Sequence, residues 1–397
     1  MAQIRGLFTF NGVLHYVRDA SLMRVDSAGT TTTLATLSSA GGPVDMEQNL
    51  TQLVITDGAL LYVWDGSSLT TTANWTAGDR IAFVDQRIVG IQRDSQRFEW
   101  TALGNAKSAA ALDFYSAEGS PDKLVAVLAA QRELLLLGED SGEMWYSVGG
   151  TAVFERASSE FIQYGCAAAF SATLVGGVPM WLGRDRKGQA QVLAGRGQRI
   201  STRAIEERFE GLDLSQARAF SYSDGGQHFY CLNVPTLDTT LCFDRTFGQW
   251  HERAELVDGE YRPWRPTCHA FAYGSHWFGD DTGNLYRLDK DAHTFAGSVK
   301  VRDRIAPVIS DPGRGRLRFP MAELVCEKAT SANVMLRWSD DNGANWSNWH
   351  TASTGAIGRY AERVKWHRLG SAYDRVFHVR MTDAAPFNPV AVRVDVV

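Results

Sequence analysis

One eight-residue stretch of the chain carries side chains at a spacing with a well-defined structural chemistry. Ser339-Asp340-Asp341-Asn342-Gly343-Ala344-Asn345-Trp346 fits the pattern S-x-D-x-G-x-x-W, known as the Asp box. In this pattern the Ser and Asp side chains bond turn backbone groups, Gly permits a tight turn, and Trp packs the hairpin onto its sheet. We therefore predict a structural turn formed by Ser339, Asp341, Gly343 and Trp346, away from any reaction centre.

Catalytic chemistry has little support in the sequence. Asp boxes are prominent in sialidases, and a glycoside hydrolase of that kind needs two carboxylates flanking the scissile bond. The candidates, which the sequence does not pair, are Asp113, Glu118, Glu160 and Glu252. The chain has no G-x-S-x-G elbow, H-E-x-x-H helix or P-loop, and Gly195-Arg196-Gly197 lacks the third glycine of a dinucleotide fingerprint. We predict no catalytic residues and no cofactor.

The histidines and cysteines do not indicate a metal site. His269 and His276 lie seven residues apart, a spacing that in one strand places them on opposite faces. The five cysteines are odd in number and contain no C-x-x-C spacing, which fits a reducing compartment. Cys231 and Cys242 could face each other across a hairpin near residues 235–238. A disulfide is conceivable there, but two buried small apolar residues are the favoured interpretation.

The elements that must carry these residues are strands. Short apolar or alternating runs, such as Leu60–Trp64 and His228–Val234, recur between Gly, Asp, Asn and Ser, so the chain reads as all-β. Ordinary globular composition, with 44% hydrophobic residues, supplies enough apolar material for a core. One exception is residues 201–212, where Ser201 could cap a short helix with Ile205, Phe209 and Leu212 on one face.

A glycine followed by an apolar-aromatic strand recurs along the chain and predicts a β-propeller. The five clear copies begin at Gly12, Gly58, Gly142, Gly226 and Gly283, and weaker ones lie near Gly90 and Gly177. Two of the intervals equal 84 residues, or two steps of about 42, close to the ~40–50 residues of a four-stranded blade. We expect about six blades, which together bury the sheet faces that one blade alone would expose.

The composition of the chain changes after Ile305, where Pro307, Pro312 and Pro320 interrupt the run of predicted strands. We expect residues 1–305 to form the propeller. Residues 306–397 should form a small C-terminal β-sandwich-like domain packed on it.

Charge and hydropathy exclude several classes of protein. Residues 1–150 carry 10 Lys and Arg against 17 Asp and Glu, a net charge of −7, and the remainder carries +2. Neither part has the basic field of a dedicated nucleic-acid binder. The basic residues do cluster locally, and we expect mainly solvated faces and ion pairs there: Lys300, Arg302, Arg304, Arg314, Arg316 and Arg318, then Arg359, Arg363, Lys365, Arg368, Arg375 and Arg380. We expect neither a signal peptide nor a membrane span.

Seven stretches resemble a known family, the packaged-DNA stabilisation proteins that form the tail hub, or nozzle, of short-tailed bacteriophages. They occur in the family's order across two thirds of the chain: residues 112–124, 143–146, 161–168, 199–206, 248–253, 336–341 and 366–377 without 371–373. The resemblance implies a structural virion protein that forms a hexameric ring below the portal and its adaptor. Within the first stretch, Ser120, Pro121 and Asp122 should form a shaped turn.

The resemblance also implies partners and a location. The partners are other copies in a homo-hexamer, the portal-adaptor ring, a tail needle or plug, tailspikes or fibres, and double-stranded DNA in transit. The protein should reside in the virion tail after assembly in the host bacterial cytoplasm, without inserting into a membrane by itself. On this hypothesis the acidic first half faces the channel or its exit, and the basic clusters face the adaptor.

Two alternatives remain open. The first is a sialidase-like glycoside hydrolase that acts on host surface glycan. The second is a propeller that binds a receptor sugar or protein without cleaving it, for which the 12 Trp, 12 Tyr and 19 Phe are the support.

Overall fold

The computed structural model describes residues 2–76, 78–150, 152–327, 331–355 and 363–397. The chain divides into two compact units. The first comprises Met1–Ala254 and Tyr261–Leu288, and the second comprises Glu255–Glu260 and Asp289–Val397. Among the described residues, the regular structure is almost entirely antiparallel β-strand.

The first unit begins with four sheets of four strands each, which are blades one to four. Blade one is β1 (Ile4–Phe10), β2 (Val13–Arg18), β3 (Ser21–Val25) and β4 (Thr31–Thr36); blade two is β5 (Asp45–Asn49), β6 (Gln52–Thr56), β7 (Leu61–Trp64) and β8 (Leu69–Thr71). Blade three is β9 (Ile81–Val84), β10 (Arg87–Ile91), β11 (Arg97–Trp100) and β12 (Phe114–Ser116); blade four is β13 (Leu124–Ala130), β14 (Glu133–Gly138), β15 (Gly142–Ser147) and β16 (Phe154–Ile162).

Three further sheets complete this unit. Blade five is β17 (Gly165–Cys166), β18 (Thr173–Val175), β19 (Val178–Arg184), β20 (Ala190–Ala194) and β21 (Gln198–Arg199), with a 3-10 turn at Ala169–Ser171. Blade six is β22 (Arg218–Asp224), β23 (Gln227–Asn233), β24 (Thr240–Asp244), β25 (Gln249–Val257) and β26 (Glu260–Pro263), of which Glu255–Glu260 count with the second unit. Blade seven has three strands: β27 (Pro266–Ala272), β28 (Ser275–Asp280) and β29 (Leu285–Arg287).

The alternation of side chains explains why the blades stack. In β14, Leu134 and Leu136 pack toward blade three, while Leu135 and Leu137 pack toward blade five, because successive side chains of a strand point to opposite faces. All four leucines are buried. Within the described residues, one apolar cluster lies between each pair of neighbouring blades, including blades seven and one.

The ring of blades closes between β27 and β1. Ile4 and Leu14 of blade one share an apolar cluster with Trp277 of blade seven. The Tyr273 hydroxyl donates a hydrogen bond of 2.8 Å to the carbonyl oxygen of Val25, and the Thr9 hydroxyl donates one of 2.7 Å to that of Phe271. Closure buries the faces of the first and last blades against each other, so the first unit is a β-propeller.

The propeller has seven blades in its described part, whereas the glycine repeat predicted about six. The step of about 42 residues is right, but the repeated glycine occupies two different turns of the blade. Gly12 and Gly226 lie between the first and second strands, Gly58 and Gly283 lie between the second and third, and Gly142 begins the third strand. Both turns are tight hairpins that accept glycine. The five clear copies and the two weaker ones near Gly90 and Gly177 fall one in each blade, so the repeat itself marks seven blades and the expected number was one too low.

The one α-helix of the described chain, α1 (Arg203–Glu207), is shorter than residues 201–212, and Ser201 does not cap it. Thr202 is the N-cap, and its hydroxyl accepts a hydrogen bond from the Ile205 amide. The Ser201 hydroxyl instead accepts one from the Val192 amide. Ile205 and Phe209 are buried as expected.

The second unit is a β-sandwich around one core. Its strands are β30 (Thr294–Phe295), β31 (Ser298–Val299), β32 (Arg302–Ile305), β33 (Ile309–Ser310), β34 (Leu317–Arg318), β35 (Met321–Glu327), β36 (Asn333–Ser339), β37 (His350–Ser353), β38 (Val364–His367), β39 (Ser371–Ala372), β40 (Asp374–Met381) and β41 (Asn388–Val394). One sheet has the order β32-β40-β36-β37 and the other β38-β35-β41. Their inner faces enclose an apolar core that includes Phe319, Leu336, Trp366 and Phe377.

The second unit takes in residues that the sequence assigned to the propeller. β32 (Arg302–Ile305) pairs with β40 in the sandwich sheet, so this strand belongs with the C-terminal residues. The contacts within the chain place the main division between Leu288 and Asp289. The proline-rich stretch after residue 305 therefore lies inside the second unit, where it connects sandwich strands.

Candidate functional sites

A polar cavity of about 180 Å³ lies at the propeller axis, where the inner ends of several blades converge. Its lining includes Arg5 from β1, Asp45 from β5, Arg80 before β9, Arg218 from β22 and His269 from β27. Converging first strands are what a closed propeller places around its axis. A free arginine cluster here could bind an anionic ligand, so the partners of each charged group decide what the cavity can do.

The guanidinium of Arg80 contacts a carboxylate and a carbonyl oxygen of the chain itself. Its Nε lies 3.1 Å from Asp45 Oδ2, and its Nη2 donates to the carbonyl oxygen of Ala172 at 3.0 Å. Asp45 Oδ2 also accepts the Ile81 amide at 2.9 Å. Burial raises the pKa of Asp45, and the Arg80 guanidinium opposes that rise. Burial together with the neighbouring Asp45 raises the pKa of Glu47 to about 8.

The guanidinium of Arg5 is also hydrogen-bonded to the chain itself. It donates to the carbonyl oxygens of Asp19, Ser39, Gly41 and Gly42 at 2.6–3.0 Å, and these bonds fix the connection between blades one and two. Arg218 pairs with Asp281 at 2.9 Å. The axial arginines therefore stabilise the ring of blades, and their donors are already directed at protein groups.

His269 and His276 lie on the same side of blade seven, contrary to the expected opposite faces. The hairpin at Tyr273 and Gly274 separates them, so they occupy neighbouring strands, and His269 Nε2 is 3.0 Å from His276 Nδ1. Burial and the neighbouring imidazole lower the pKa of His269 to about 3, which keeps that ring neutral. Among the described residues, no group of three or more His, Cys, Asp or Glu side chains could hold a metal ion.

The predicted turn at Ser120, Pro121 and Asp122 precedes β13 and holds another turn of blade four. Asp122 Oδ2 accepts the amides of Asp140 and Ser141, each at 2.9 Å, between β14 and β15. Ser120 is buried, and its carbonyl oxygen accepts Gln96 Nε2 at 3.1 Å. Pro121 lies exposed between them. These contacts join the connection between blades three and four to a hairpin of blade four.

A second carboxylate of blade four, missed in the sequence, supports the same connection. Buried Glu143 accepts the Gly119 amide at 2.5 Å and the Trp145 indole Nε1 at 3.0 Å, and Arg156 Nε lies 3.3 Å away. Its position at the start of the strand Gly142–Ser147, next to Met144 and Trp145, is the only signal in the sequence.

The Asp-box residues form one hydrogen-bonded turn between β36 and β37. The Ser339 hydroxyl donates to Asp341 Oδ1 at 2.7 Å and accepts the Gly343 amide at 2.8 Å. Asp341 Oδ1 accepts the Asn345 amide at 2.8 Å; this bond is the main cause that lowers the Asp341 pKa to about 2. Gly343 adopts a φ of 95°, which favours glycine. Trp346 is half-buried.

The Trp346 ring packs against a cation. The Arg337 guanidinium lies 4.5 Å from the Trp346 ring centroid and 4.4 Å from that of Trp349. The His378 ring packs edge-on against both indoles, at centroid distances of 5.3 and 5.0 Å. The turn is thus fixed to its sheet by cation–π and aromatic contacts.

Asp340, a variable position of the Asp-box pattern, makes the strongest ionic contact of the turn. Its two carboxylate oxygens accept Arg375 Nε at 2.6 Å and Nη2 at 2.8 Å. Arg375 has only 3% of its side chain exposed, and its guanidinium lies 4.6 Å from the Phe319 ring centroid. The sequence placed Arg375 in a basic cluster, with no signal that it is buried.

The four carboxylates considered for glycoside hydrolysis are not brought together. Asp113 and Glu118 flank β12 of blade three, and Glu160 is on β16 of blade four, where it pairs with Arg196. Glu252 is on β25 of blade six and lies 2.9 Å from Arg208. The pairings of Glu160 and Glu252 with arginines hold the blades together and do not form a shared cleft.

Two sets of residues within the C-terminal basic clusters differ in exposure. Arg302, Arg375 and Arg380 are turned inward: Arg302 donates to the carbonyl oxygen of Ala385, and Arg380 donates to both carboxylate oxygens of Asp303. Arg359 lies outside the described residues. A second set is exposed beside the short strand β34, and we call it the basic patch: Arg314, Arg316, Arg318 and Arg368. The Arg368 amide bonds the carbonyl oxygen of Pro320, which brings residues 368–372 alongside residues 317–320.

Within the described part of the chain, no helix has the length and apolar character needed to cross a membrane. Two family models match the sequence over nearly its whole length. Residues 2–293 match the β-propeller of bacteriophage P22 Gp10, and residues 305–397 match its β-sandwich. No curated protein matches the chain.

Several solved structures are similar to the chain at low sequence identity. The extracellular domain of a putative one-component system from B. thetaiotaomicron is 9% identical, with a TM-score of 0.46 over 88% of this chain and 46% of that one. The chain thus spans about half the length of that protein. The WD40 β-propeller domain of Doa1 is 10% identical, with a TM-score of 0.45 over 72% of this chain and 92% of that one.

Proposed function

The chain belongs to the bacteriophage P22 Gp10 family of packaged-DNA stabilisation, or tail hub, proteins, and from this premise we propose that six copies form a ring that extends the portal-adaptor channel. As a family member it is a structural component of a phage tail. In our proposal the ring retains the packaged DNA and conducts it during ejection. The observation that carries the proposal is the match of both family domains, in order, over residues 2–293 and 305–397.

The size of the axial cavity supports a DNA passage between copies and not through one propeller. The cavity measures about 180 Å³, and the arginines that line it are bonded to Asp45, Asp281 and backbone carbonyl oxygens. A DNA duplex, whose major groove alone is about 12 Å wide, has no room there. A passage for DNA therefore requires several copies arranged around a common axis.

The charge distribution suits a conduit. Each Lys or Arg that contacts a phosphate adds salt-dependent affinity, which would slow the movement of DNA through a channel. The first 150 residues carry a net charge of −7. We propose that this acidic part of the propeller faces the channel or its exit, and that the basic patch of the sandwich faces the adaptor.

A closed ring of identical subunits uses two different surface patches that meet at every interface. Because the two patches belong to one chain, a substitution in either of them affects all six contacts. In the virion, the other proposed partners are the portal-adaptor ring, a needle or plug, and tailspikes or fibres. We propose that the subunits are made in the host cytoplasm and add to particles there.

We propose that the protein has no catalytic activity. The sialidase-like alternative needs an acid and a second carboxylate on either side of a bound sugar. Glu160 and Glu252 lie on different blades and are paired with arginines, and Asp113 and Glu118 flank a strand of a third blade. Turnover of chromogenic glycosides by the purified protein, lost on replacing one acidic residue, would return the hydrolase to consideration.

The test is the mass of the purified full-length protein, alone and mixed with portal-adaptor particles, measured by light scattering and viewed by negative-stain imaging. We expect particles that gain six copies of 43.8 kDa as a ring below the adaptor. A protein that stays monomeric and ignores the particles contradicts the proposal.

The orientation of the ring can be tested separately with charge variants. We expect Arg316→Glu/Arg318→Glu in the basic patch to weaken attachment to the adaptor, and attachment of the unmodified protein to fall with added salt. Arg186→Glu/Lys187→Glu, the same total change of charge at an exposed propeller turn, is the control and should attach normally. Salt-resistant attachment would refute the assignment of the basic patch to the adaptor.

A further inference from the structure

Two cysteine thiols face each other inside blade six. Cys231 on β23 and Cys242 on β24 are directly opposite in the antiparallel register, and their Sγ atoms are 3.3 Å apart. Both side chains are fully buried, and both are thiols. They lie in the apolar cluster between blades six and seven, among the rings of Phe220, Tyr222 and Phe278.

The positions of the two strands are compatible with a bond between the sulfurs. Opposed residues of antiparallel strands have Cα atoms about 4.5–5.5 Å apart, which falls inside the range of about 4.4–6.8 Å found for disulfides. Closing the 3.3 Å contact to a bond of about 2.05 Å moves the sulfurs together by only about 1.3 Å. Rotation of the two side chains can supply this movement without a change in strand pairing.

The neighbouring strand supplies groups that favour a thiolate at Cys242. His251 on β25 is the residue opposite Cys242, and Arg253 Nε lies 3.3 Å from His251 Nε2. The Arg253 guanidinium is stacked over the Trp264 ring at 4.8 Å and is enclosed by Tyr222 and Phe229. A cation held in an aromatic enclosure near two thiols is poorly screened by water.

These groups act differently on the two thiols. Burial raises the pKa of Cys242, but the Cys231 thiol, Arg253 and His251 outweigh it and lower that pKa below the usual thiol range. Burial and the neighbouring Cys242 raise the pKa of Cys231. Thiolate is the nucleophilic form of cysteine, so the pair has an attacking sulfur at Cys242 and a resolving thiol at Cys231.

We propose that Cys231 and Cys242 are an oxidative modification site, at which hydrogen peroxide converts a buried dithiol into a cross-strand disulfide. This inference is independent of the function proposed above. The Cys242 thiolate attacks one peroxide oxygen, the O–O bond breaks, and hydroxide leaves, which gives a sulfenic acid. Cys231 then attacks the Cys242 sulfur, the S–O bond breaks, and water leaves with the thiol proton. Two thiols are oxidised, and one peroxide is reduced to two waters.

Cys166 provides an internal comparison. It is also fully buried, but its Sγ faces the carbonyl oxygen of Ala168 at 3.1 Å and the Ser171 hydroxyl at 3.7 Å. Burial raises the pKa of this thiol. Cys166 thus shares the burial of the pair but has neither the opposed cysteine nor the thiolate-favouring groups, and it should stay reduced under conditions that oxidise Cys231 and Cys242.

The disulfide would fix the two central strands of blade six to each other. It encloses the connection between Asn233 and Thr240, and so restricts the unfolded chain more than the folded one. We expect the oxidised protein to unfold at a higher temperature than the reduced protein. Treatment of the oxidised protein with a reductant should return its unfolding temperature to that of the reduced protein.

The experiment exposes the reduced, full-length protein to hydrogen peroxide, blocks the remaining thiols with iodoacetamide in denaturant, and maps peptides by mass. We expect one linked peptide that contains Cys231 and Cys242 and has lost two hydrogens, with Cys166 alkylated. In Cys231→Ser, dimedone should label Cys242, because the sulfenic acid has no resolving thiol. In Cys242→Ser, Cys231 should stay reduced.

The peroxide experiment on the unmodified protein tests the proposal even if a cysteine variant does not fold. Cys231 and Cys242 alkylated as fully as Cys166 after peroxide treatment would overturn the proposal. A linked peptide that forms only after the protein has been unfolded in urea would overturn it as well, because the folded geometry would then have no part in the reaction.

Discussion

Replacing Asp340 by Ala removes the partner of a buried cation and should destabilise the sandwich. Arg375, which has 3% of its side chain exposed in the unmodified protein, would lose the acceptor of two hydrogen bonds, at 2.6 and 2.8 Å. Breaking a fully buried pair costs about 3–5 kcal/mol. Since 45% of the Asp340 side chain is exposed, water can reach part of the vacated site, and we reduce the expected cost to about 2 kcal/mol.

Hydrogen exchange measured by mass spectrometry on the full chain localises this effect. A loss of about 2 kcal/mol corresponds to roughly 30-fold faster exchange of amides that open with the sandwich core, in peptides covering β36 and β40. Peptides from β23 in the propeller serve as an internal reference and should not change.

Two variants separate the ion pair from the turn. Asp340→Ala/Arg375→Met should exchange more slowly than Asp340→Ala, because no uncompensated cation remains in the core. Asp341→Ala, which breaks the turn bonds at the neighbouring position, should have the smaller effect, since Asp341 is solvent-exposed. Exchange in Asp340→Ala within threefold of the unmodified protein would refute the reasoning, as would an Asp341→Ala variant that is the more damaged.

Three further changes test the propeller. The free energy of unfolding should fall as the pH rises from 4.5, the ordinary pKa of Glu, to about 8, because Glu47 keeps its proton in the folded protein and releases it in the unfolded chain. In Glu47→Gln, the free energy of unfolding measured in urea should depend less steeply on pH. Asp122→Ala strips the acceptor from two turn amides and should cost about 1–3 kcal/mol, seen as a lower urea midpoint and faster proteolysis at Ser141. Gly165→Ala places a Cβ against the backbone of Glu139, and we expect a loss of about 1–3 kcal/mol in the same urea assay.

The sequence predicted the architecture because propeller blades are built from local patterns. The period of about 42 residues and the apolar runs follow directly from hairpins whose two faces are both buried, as in Leu134 to Leu137. The blade count was underestimated, although the five clear and two weaker glycine copies fall one in each of the seven blades. The pairing of β27 with β28 and the closure onto β1 establish that the last copy, at Gly283, belongs to a seventh blade.

Contacts between distant residues could not be predicted in the same way. His269 and His276 were assigned to opposite faces on the assumption of one continuous strand, but the turn at Gly274 folds them together. The Asp-box pattern located the turn bonds of Ser339 and Asp341, and it treated Asp340 as variable. Its partner Arg375 lies 35 residues away, so no local rule connects the two.

The difference between local sequence patterns and contacts of distant residues also decides which basic residues of a DNA-channel protein can bind DNA. The sequence offers Arg302, Arg375 and Arg380 as part of C-terminal basic clusters, but all three are turned inward and donate hydrogen bonds to carbonyl and carboxylate oxygens of the sandwich. A guanidinium already satisfied in this way releases no counterion when DNA passes, so it adds nothing to phosphate affinity. The four arginines of the exposed basic patch can do so, and together they would contribute about −4 to the slope of log affinity against log salt. Replacing all four by glutamine should therefore flatten the measured slope by up to about 4, and a slope left unchanged by that replacement would mean that the patch does not contact DNA.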